Sequence, residues 1–160
     1  RFFQMSSLEM CRFLGKSFYN IISILNDRIL STHDKTLMAK LFYDCKALLA
    51  PNGKLILSFP NFEKFSAEPT AKLPIRESIR VRLFSKIQTV ASGKKFLYQE
   101  LETGNGKRLI VTEDAPIMPL TKNKIEQYAK EVGFTKFAFY GDFAQNEFTK
   151  DSDNLVVVIS

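Results

Sequence analysis

The stretch Leu48-Leu49-Ala50-Pro51-Asn52-Gly53-Lys54-Leu55-Ile56-Leu57-Ser58-Phe59 joins the end of a helix to the start of a hydrophobic strand. Upstream of it, Leu37, Met38, Leu41, Phe42, Cys45, Leu48 and Leu49 recur at helical spacing, so residues 34–49 are expected to bury one face. Pro51 cannot continue that helix, and Gly53 or Asn52 can adopt the positive φ that stops it. The strand that follows, residues 55–59, reads as an interior strand covered on both faces. A helix that returns this quickly to a buried strand is half of a βαβ unit, the building block of open α/β sheets. Such sheets bind ligands at the carboxyl ends of their strands, which here points to Phe59-Pro60-Asn61-Phe62.

The length, 160 residues, suits one domain with a real hydrophobic core. The net charge of +6 is spread along the chain, with Lys and Arg interleaved with Glu and Asp. That pattern gives little support for a nucleic-acid or membrane-surface role. No segment approaches the ~18 apolar residues of a membrane span, and no signal peptide is visible. Cys11 and Cys45 lie in or beside apolar patterns and read as buried thiols, which suits a reducing cytoplasm. With a single histidine and no ligand spacing, a zinc site is not expected. The abrupt opening Arg1-Phe2-Phe3-Gln4-Met5 looks like a cut through a domain.

Outward from the central stretch, residues 1–5 read as a short strand and residues 6–9 as a loop or helix start. Residues 20–25 read as a second buried strand with Asn26, Asp27 and Arg28 at its carboxyl end. Residues 60–75 carry Pro60, Pro69 and Pro74 and read as a long irregular connection, of the kind that often covers a site. From Ile79 the period changes to that of half-buried strands, giving an antiparallel meander with turns at 91–94 and 104–106. Thr121 is placed to cap a helix that stops at Gly133, and residues 137–140 and 155–159 read as the last strands.

Three stretches carry chemistry worth weighing. Gly104-Asn105-Gly106 begins like a dinucleotide fingerprint, but both of its flanks read as strands, so a hairpin turn is expected instead. His33, beside Asp34 and just ahead of a helix, reads as a solvated or capping residue, since no nucleophile motif accompanies it. Polar residues at three strand ends, Asn26-Asp27-Arg28, Asn61 and Tyr140-Gly141-Asp142, converge on one rim of the expected sheet.

On these residues the chain resembles the class I S-adenosylmethionine-dependent methyltransferases, in the small-molecule group that carries a β-meander insertion. Residues 18–27 are similar to the family's fourth strand and following loop, and residues 48–59 to its helix, Pro-Gly-Gly turn and fifth strand. Residues 60–65 resemble the Asn-Tyr segment after that strand. Residues 132–143 resemble the sixth strand with its helix exit, and residues 155–159 the seventh. The resemblance implies an α/β fold: an incomplete Rossmann-like sheet of the third to seventh strands, with residues 76–118 as an inserted antiparallel meander over the substrate pocket. It implies that Ser6, Ser7, Leu25, Asn26 and Asp27 line the cofactor side, and that Asn61, Phe62 and Tyr140 line the substrate side. No catalytic base is assigned.

The departures matter as much. Ser6 stands where an acidic residue usually contacts adenine, Asn20 where an aspartate is common, and Asn52 where the family has a glycine. The first two strands, with the Gly-rich loop, are not in the sequence. In the family they lie between the third and fourth strands, so the edge of strand 20–25 is expected to be open. An N-terminal segment or a second copy of the chain is then expected to cover it. The implied activity is cytoplasmic methyl transfer to a small molecule by a longer parent enzyme, the fragment alone being inactive. The alternative is a non-catalytic binding or assembly module with a degenerate methyltransferase fold.

Overall fold

The computed structural model describes residues 4–26, 28–65 and 68–160. A 3-10 turn at Ser7–Glu9 runs into α1 (Met10–Phe13), followed by β1 (Tyr19–Ile24) and a second 3-10 turn at Arg28–Ser31. Then come α2 (Lys35–Leu48), β2 (Leu49–Pro60), α3 (Phe62–Phe65), β3 (Thr70–Lys72) and β4 (Arg76–Glu77). The chain continues through β5 (Val81–Thr89), β6 (Lys95–Thr103), β7 (Arg108–Ile117), α4 (Lys122–Glu131), β8 (Phe137–Tyr140) and β9 (Asn154–Ile159). Most of the strand expected at 1–5 lies outside the described residues. Gln4 and Met5 carry no regular secondary structure.

Helix α2 starts where Asp34 Oδ1 accepts from the Leu37 amide at 3.0 Å, a side-chain N-cap. Met38, Leu41, Phe42, Cys45 and Leu48 form its buried face, whereas Leu37 is exposed. The chain then joins the sheet without a gap, because Leu49 already pairs with Tyr19 of β1. Lys54 pairs with Ile21, so residues 50–53 loop out of register between two paired positions. Asn52 supplies the left-handed step, at φ 64°. Gly53 is needed for a different reason: a Cβ there would sit 2.9 Å from the carbonyl oxygens of both Ala50 and Tyr19. The two residues divide a task that the sequence left between them.

The first sheet runs β1-β2-β9-β8. Strands β1 and β2 are parallel, and β9 is antiparallel to both β2 and β8. The carboxyl ends of β1, β2 and β8 therefore share one rim. Register fixes the two faces. Ile22, Ile24, Leu55, Leu57, Phe59, Leu155, Val157, Ile159, Phe137 and Phe139 share the first face. Met38, Leu41, Phe42 and Cys45 of α2 join that face in a single core with Ile125 and Ala129 of α4. Phe42 stacks on Tyr128 at 5.7 Å, locking the two helices together.

The second face is not covered in the same way. Val156 and Ser58 are buried, but Ile56, Val158, Ala138 and Tyr140 are only half-buried and Ile21 is 59% exposed. The expectation that residues 55–59 are covered on both faces and that residues 20–25 form a buried strand therefore needs correction. One face is packed, and β1 is an edge strand with Ile21 and Ser23 turned to solvent. Periodicity reports which residues seek burial, and the elements described here cover only one side.

The second sheet runs β3-β5-β6-β7, with β4 also pairing β5, all antiparallel. Its pairing begins at Thr70, so part of the irregular connection expected at 60–75 is strand. Ala71 and Leu73 are buried there, and residues 62–65 are helical. Ile79, read as the first strand residue, is instead fully exposed in the turn before Val81. Gly104-Asn105-Gly106 is a hairpin turn, closed by Thr103 and Lys107 backbone hydrogen bonding. The meander is anchored over the rim of the first sheet: the Met118 amide donates to Leu30 O at 3.2 Å, and Leu73, Ile87, Leu97 and Ile117 enter the common core.

Thr121 Oγ1 caps α4. Its carboxyl end is a Schellman turn: Gly133, at φ 87°, donates to Lys130 O, and Phe134 donates to Ala129 O. Phe134 is then buried beneath Lys46 of α2, whose Nζ lies 4.4 Å from the ring centre.

Candidate functional site

The meander's inner face and the carboxyl end of β1 enclose a cleft of about 440 Å³. Asn26, Arg28 and Ser31 form its floor, with Arg76, Leu83, Leu97, Gln99, Thr112 and Ile117 among the residues of the meander side. Asn26 holds a left-handed φ of 62°, which turns the chain sharply off the strand. An asparagine tolerates that conformation better than a branched residue would. Apart from Arg76, the polar residues that the meander brings to this wall belong to one stripe. Ser85, Gln99 and Thr112 occupy paired positions on three adjacent strands. Thr112 Oγ1 donates to Gln99 Oε1 at 3.0 Å, and Gln99 Nε2 donates to Ser85 Oγ at 3.0 Å. This ladder fixes the amide orientation inside a mostly hydrophobic wall, which is how small-molecule clefts combine shape with a few oriented polar groups. Among the described lining residues there is no Asp, Glu or His.

The residues singled out from sequence separate into three groups. Asn26 lines the cleft, and Leu25 beside it is 41% exposed at the strand end. Asp27, between two lining residues, lies outside the described residues. Ser6 and Ser7 are exposed at the amino-terminal 3-10 turn, where Ser6 Oγ accepts from the Leu8 amide. That turn is tied to α2 by Lys40 Nζ, which donates to Leu8 O at 2.6 Å and pairs with the buried Asp44 carboxylate.

The substrate-side residues are placed differently again. Asn61 is 1% exposed and committed within the protein. Its Nδ2 donates to Lys150 O at 3.0 Å and Ser152 O at 2.9 Å, with Thr149 O at 3.4 Å. Its Oδ1 accepts from the Glu63 amide at 3.1 Å and starts α3. Asn61 thus clamps the loop before β9 onto the end of β2. Phe62 is 2% exposed and belongs to the core. Tyr140 is half-buried on the second face of the first sheet. Asp142, next on the same rim, accepts from the Asn146 amide at 3.1 Å and from its Nδ2 at 2.6 Å. Those bonds hold its carboxyl below the usual range.

The rim therefore brings Asn26 together with the meander, and leaves Ser6 and Ser7 against α2 and Asn61 and Phe62 inside. His33 is exposed with Nδ1 3.2 Å from Ser31 O, a local contact at the start of α2. The serine–glutamine–threonine stripe was missed in the sequence. Its signal was partial: Ser85 and Gln99 stand between apolar residues of the same parity, Leu83 and Ile87 on β5 and Leu97 and Leu101 on β6, but their pairing with Thr112 needs the register.

An open sheet with parallel strands, a reversed last hairpin and a lidded cleft at the strand-end rim defines an α/β ligand-binding fold. Comparison with solved structures makes that specific: the fold is the one seen in S-adenosylmethionine-dependent methyltransferases. The CcbJ methyltransferase of Streptomyces caelestis superposes with a TM-score of 0.69 at 12% identity, over 91% of this chain and 62% of that one. An S-adenosylmethionine-dependent methyltransferase of Clostridium acetobutylicum gives 0.69 at 15% identity, over 94% and 61%. CalS10, an amino pentose methyltransferase of Micromonospora echinaspora, gives 0.58 at 15%, over 93% and 61%. The chain spans about three-fifths of the length of these structures. No family model and no curated protein matches the sequence. Among the described residues, no helix is long and apolar enough to cross a membrane.

Proposed function

We propose that this chain is the sheet-and-lid part of a methyltransferase that transfers a methyl group from S-adenosylmethionine to a small molecule. One observation carries the reading: the β1-β2-β9-β8 order, with its antiparallel last hairpin and a meander over the carboxyl rim, in a fold shared at a TM-score of 0.69. In this reading Leu25, Asn26 and Asp27 form the edge of the cofactor site, with Ser6 and Ser7 beyond it. The acceptor lies against the inner face of the meander. Tyr140 belongs to the substrate side only at its outer limit, and Asn61 and Phe62 serve it from within by holding the rim.

The residues present fit one side of the cofactor. An exposed leucine beside a left-handed asparagine at a strand end offers an apolar surface and a polar turn, one side of such a site. The opposite wall is assigned to a further part of the domain, which would also pair the open edge of β1 and cover the half-exposed second face. The cofactor supplies an activated methyl group on a sulfonium. The work left to this chain is placement: Gln99 and Thr112, with Ser85 fixing the Gln99 amide from outside the cleft, orient the acceptor, and the meander excludes water from it.

The second reading, a binding or assembly module with a degenerate fold, is favoured by Ser6, Asn20 and Asn52 at positions where the resemblance expects other residues. Calorimetry separates the two. S-adenosylmethionine is expected to bind a chain extended at its N-terminus and to bind the 160-residue chain weakly or not at all. Binding by neither would overturn the methyltransferase reading.

A further inference from the structure

The meander has a second, larger cleft on its opposite face, about 840 Å³, lined in part by Lys72, Phe84, Lys86, Tyr98, Glu100 and Arg108. Its charges do not cancel. Arg108 is engaged by Glu100 at 3.1 Å and Glu102 at 2.9 Å, and Lys64 at the rim by Asp153 at 2.6 Å. Lys72 and Lys86 have no acidic partner within ion-pair distance among the described residues. They are also register partners, directly opposite each other on β3 and β5. Like charges at opposed positions destabilise a sheet, and an anion between them removes that penalty. Beside the pair lie rings facing the same cleft: Tyr98, whose centre is 4.3 Å from Lys86 Nζ, and Phe84, whose centre is 5.3 Å from the Arg108 guanidinium. Both rings are half-buried and line the cleft.

We propose that this outer cleft is a binding site for a small aromatic anion, a planar ring carrying a phosphate or carboxylate. The anionic group sits between Lys72 and Lys86, and the ring lies against Tyr98 and Phe84. The lysines and rings face away from the methyl-acceptor cleft, because alternate residues of β5 and β6 face opposite sides of the meander, although Ser85 and Leu73 reach the edge of the outer cleft too.

The probes are phenyl phosphate, benzoate, inorganic phosphate and phenol, each titrated while backbone amide resonances are followed. Phenyl phosphate, benzoate or both should shift the amides of Lys72, Lys86 and Tyr98 saturably, and the two arms decide which anionic group is preferred. Inorganic phosphate, lacking the ring, and phenol, lacking the charge, should each bind about tenfold more weakly or worse. Lys72→Glu should abolish binding while raising the melting temperature, since it turns an opposed like-charge pair into an opposite one. Lys72→Gln, the milder change, should weaken binding about tenfold. Absence of saturable shifts with both aromatic anions would overturn the proposal. So would phenol binding as tightly as phenyl phosphate, or unchanged affinity in both Lys72 variants.

Discussion

Asn61 offers the sharpest test of how the rim is built. Removing its amide by Asn61→Ala deletes two good donated hydrogen bonds, at 2.9 and 3.0 Å, a weaker one at 3.4 Å, and the bond accepted from Glu63. Each such bond contributes ~1 kcal/mol net, more where a partner is left dry. Lys150 is exposed and its carbonyl can be rehydrated, whereas the side chain it loses is buried. A loss of ~3 kcal/mol follows, read by urea denaturation with far-ultraviolet circular dichroism. Asn61→Asp should do worse near neutral pH. Its first oxygen keeps the Glu63 amide, but its second faces carbonyl oxygens that it cannot satisfy as an anion. Protonation would restore one donor, so the folded-state pKa of that aspartate lies above its unfolded value of ~3.9. A raised pKa gives stability that is complete below the unfolded value and lost as pH climbs through the folded one. The Asp variant should therefore weaken relative to the Ala variant between about pH 4 and pH 7. An Asn61→Ala variant within ~0.5 kcal/mol of the parent would refute the clamp and return Asn61 to the surface chemistry first expected of it.

Three further outcomes follow from single contacts. Gly53→Ala should cost ~2 kcal/mol or more, because its Cβ meets two backbone carbonyl oxygens that side-chain motion cannot relieve. Gly93→Ala, in open space at φ 77°, should cost ~1 kcal/mol, and equal losses would sink the close-approach argument. Burial pushes the Cys45 thiol up to about 12, so iodoacetamide at pH 8 should label Cys11 first and reach Cys45 only on unfolding; simultaneous labelling in the native state would contradict that packing. The Asp142 carboxyl is held low mainly by Asn146, and a lowered pKa gives stability above the unfolded value that is lost as pH falls through the folded one. Asn146→Ala should raise that pKa in an NMR titration, and an unchanged midpoint would show that another group sets it.

The sequence was most legible where one residue's local role and its burial agreed. Thr121 and Gly133 were readable because a cap needs only its own helix, and residues 137–140 and 155–159 because their apolar runs are short and bounded; the cap of α2 was not, for it is Asp34, read as the first helical residue, and not His33. It was least legible where a side chain acts across distance. Asn61 reads as a polar residue at a strand end, the same signature as a ligand contact. Only the approach of residues 149–152, about ninety positions later, turns it inward. The Ser85–Gln99–Thr112 ladder likewise needs the register of three strands, which extra residues of β7 opposite Leu97–Glu100 shift off simple alternation.

The error over β1 and β2 has a different origin, and it bears on the function proposed. Hydrophobic pattern predicted two covered faces, yet Ile21 is 59% exposed, and Phe18 and Phe13, at 71% and 61%, stand near the same strand. Scattered exposed apolar residues are ordinary, but Ile21 lies on a strand with no second partner among the described residues, and half-buried Ile56 and Val158 continue the opening across the sheet. The sequence thus seeks more burial than the described elements give. A degenerate module that worked alone would gain from polar residues at Ile21 and Ile56, where solvent reaches. Isoleucines at these two positions are what the covering segment proposed above would bury. Ile21→Lys therefore discriminates. In the 160-residue chain it should change stability little; in an N-terminally extended chain it should prevent the two parts from packing, lowering the melting temperature by several degrees. No difference between the two backgrounds would leave the open face without its proposed occupant.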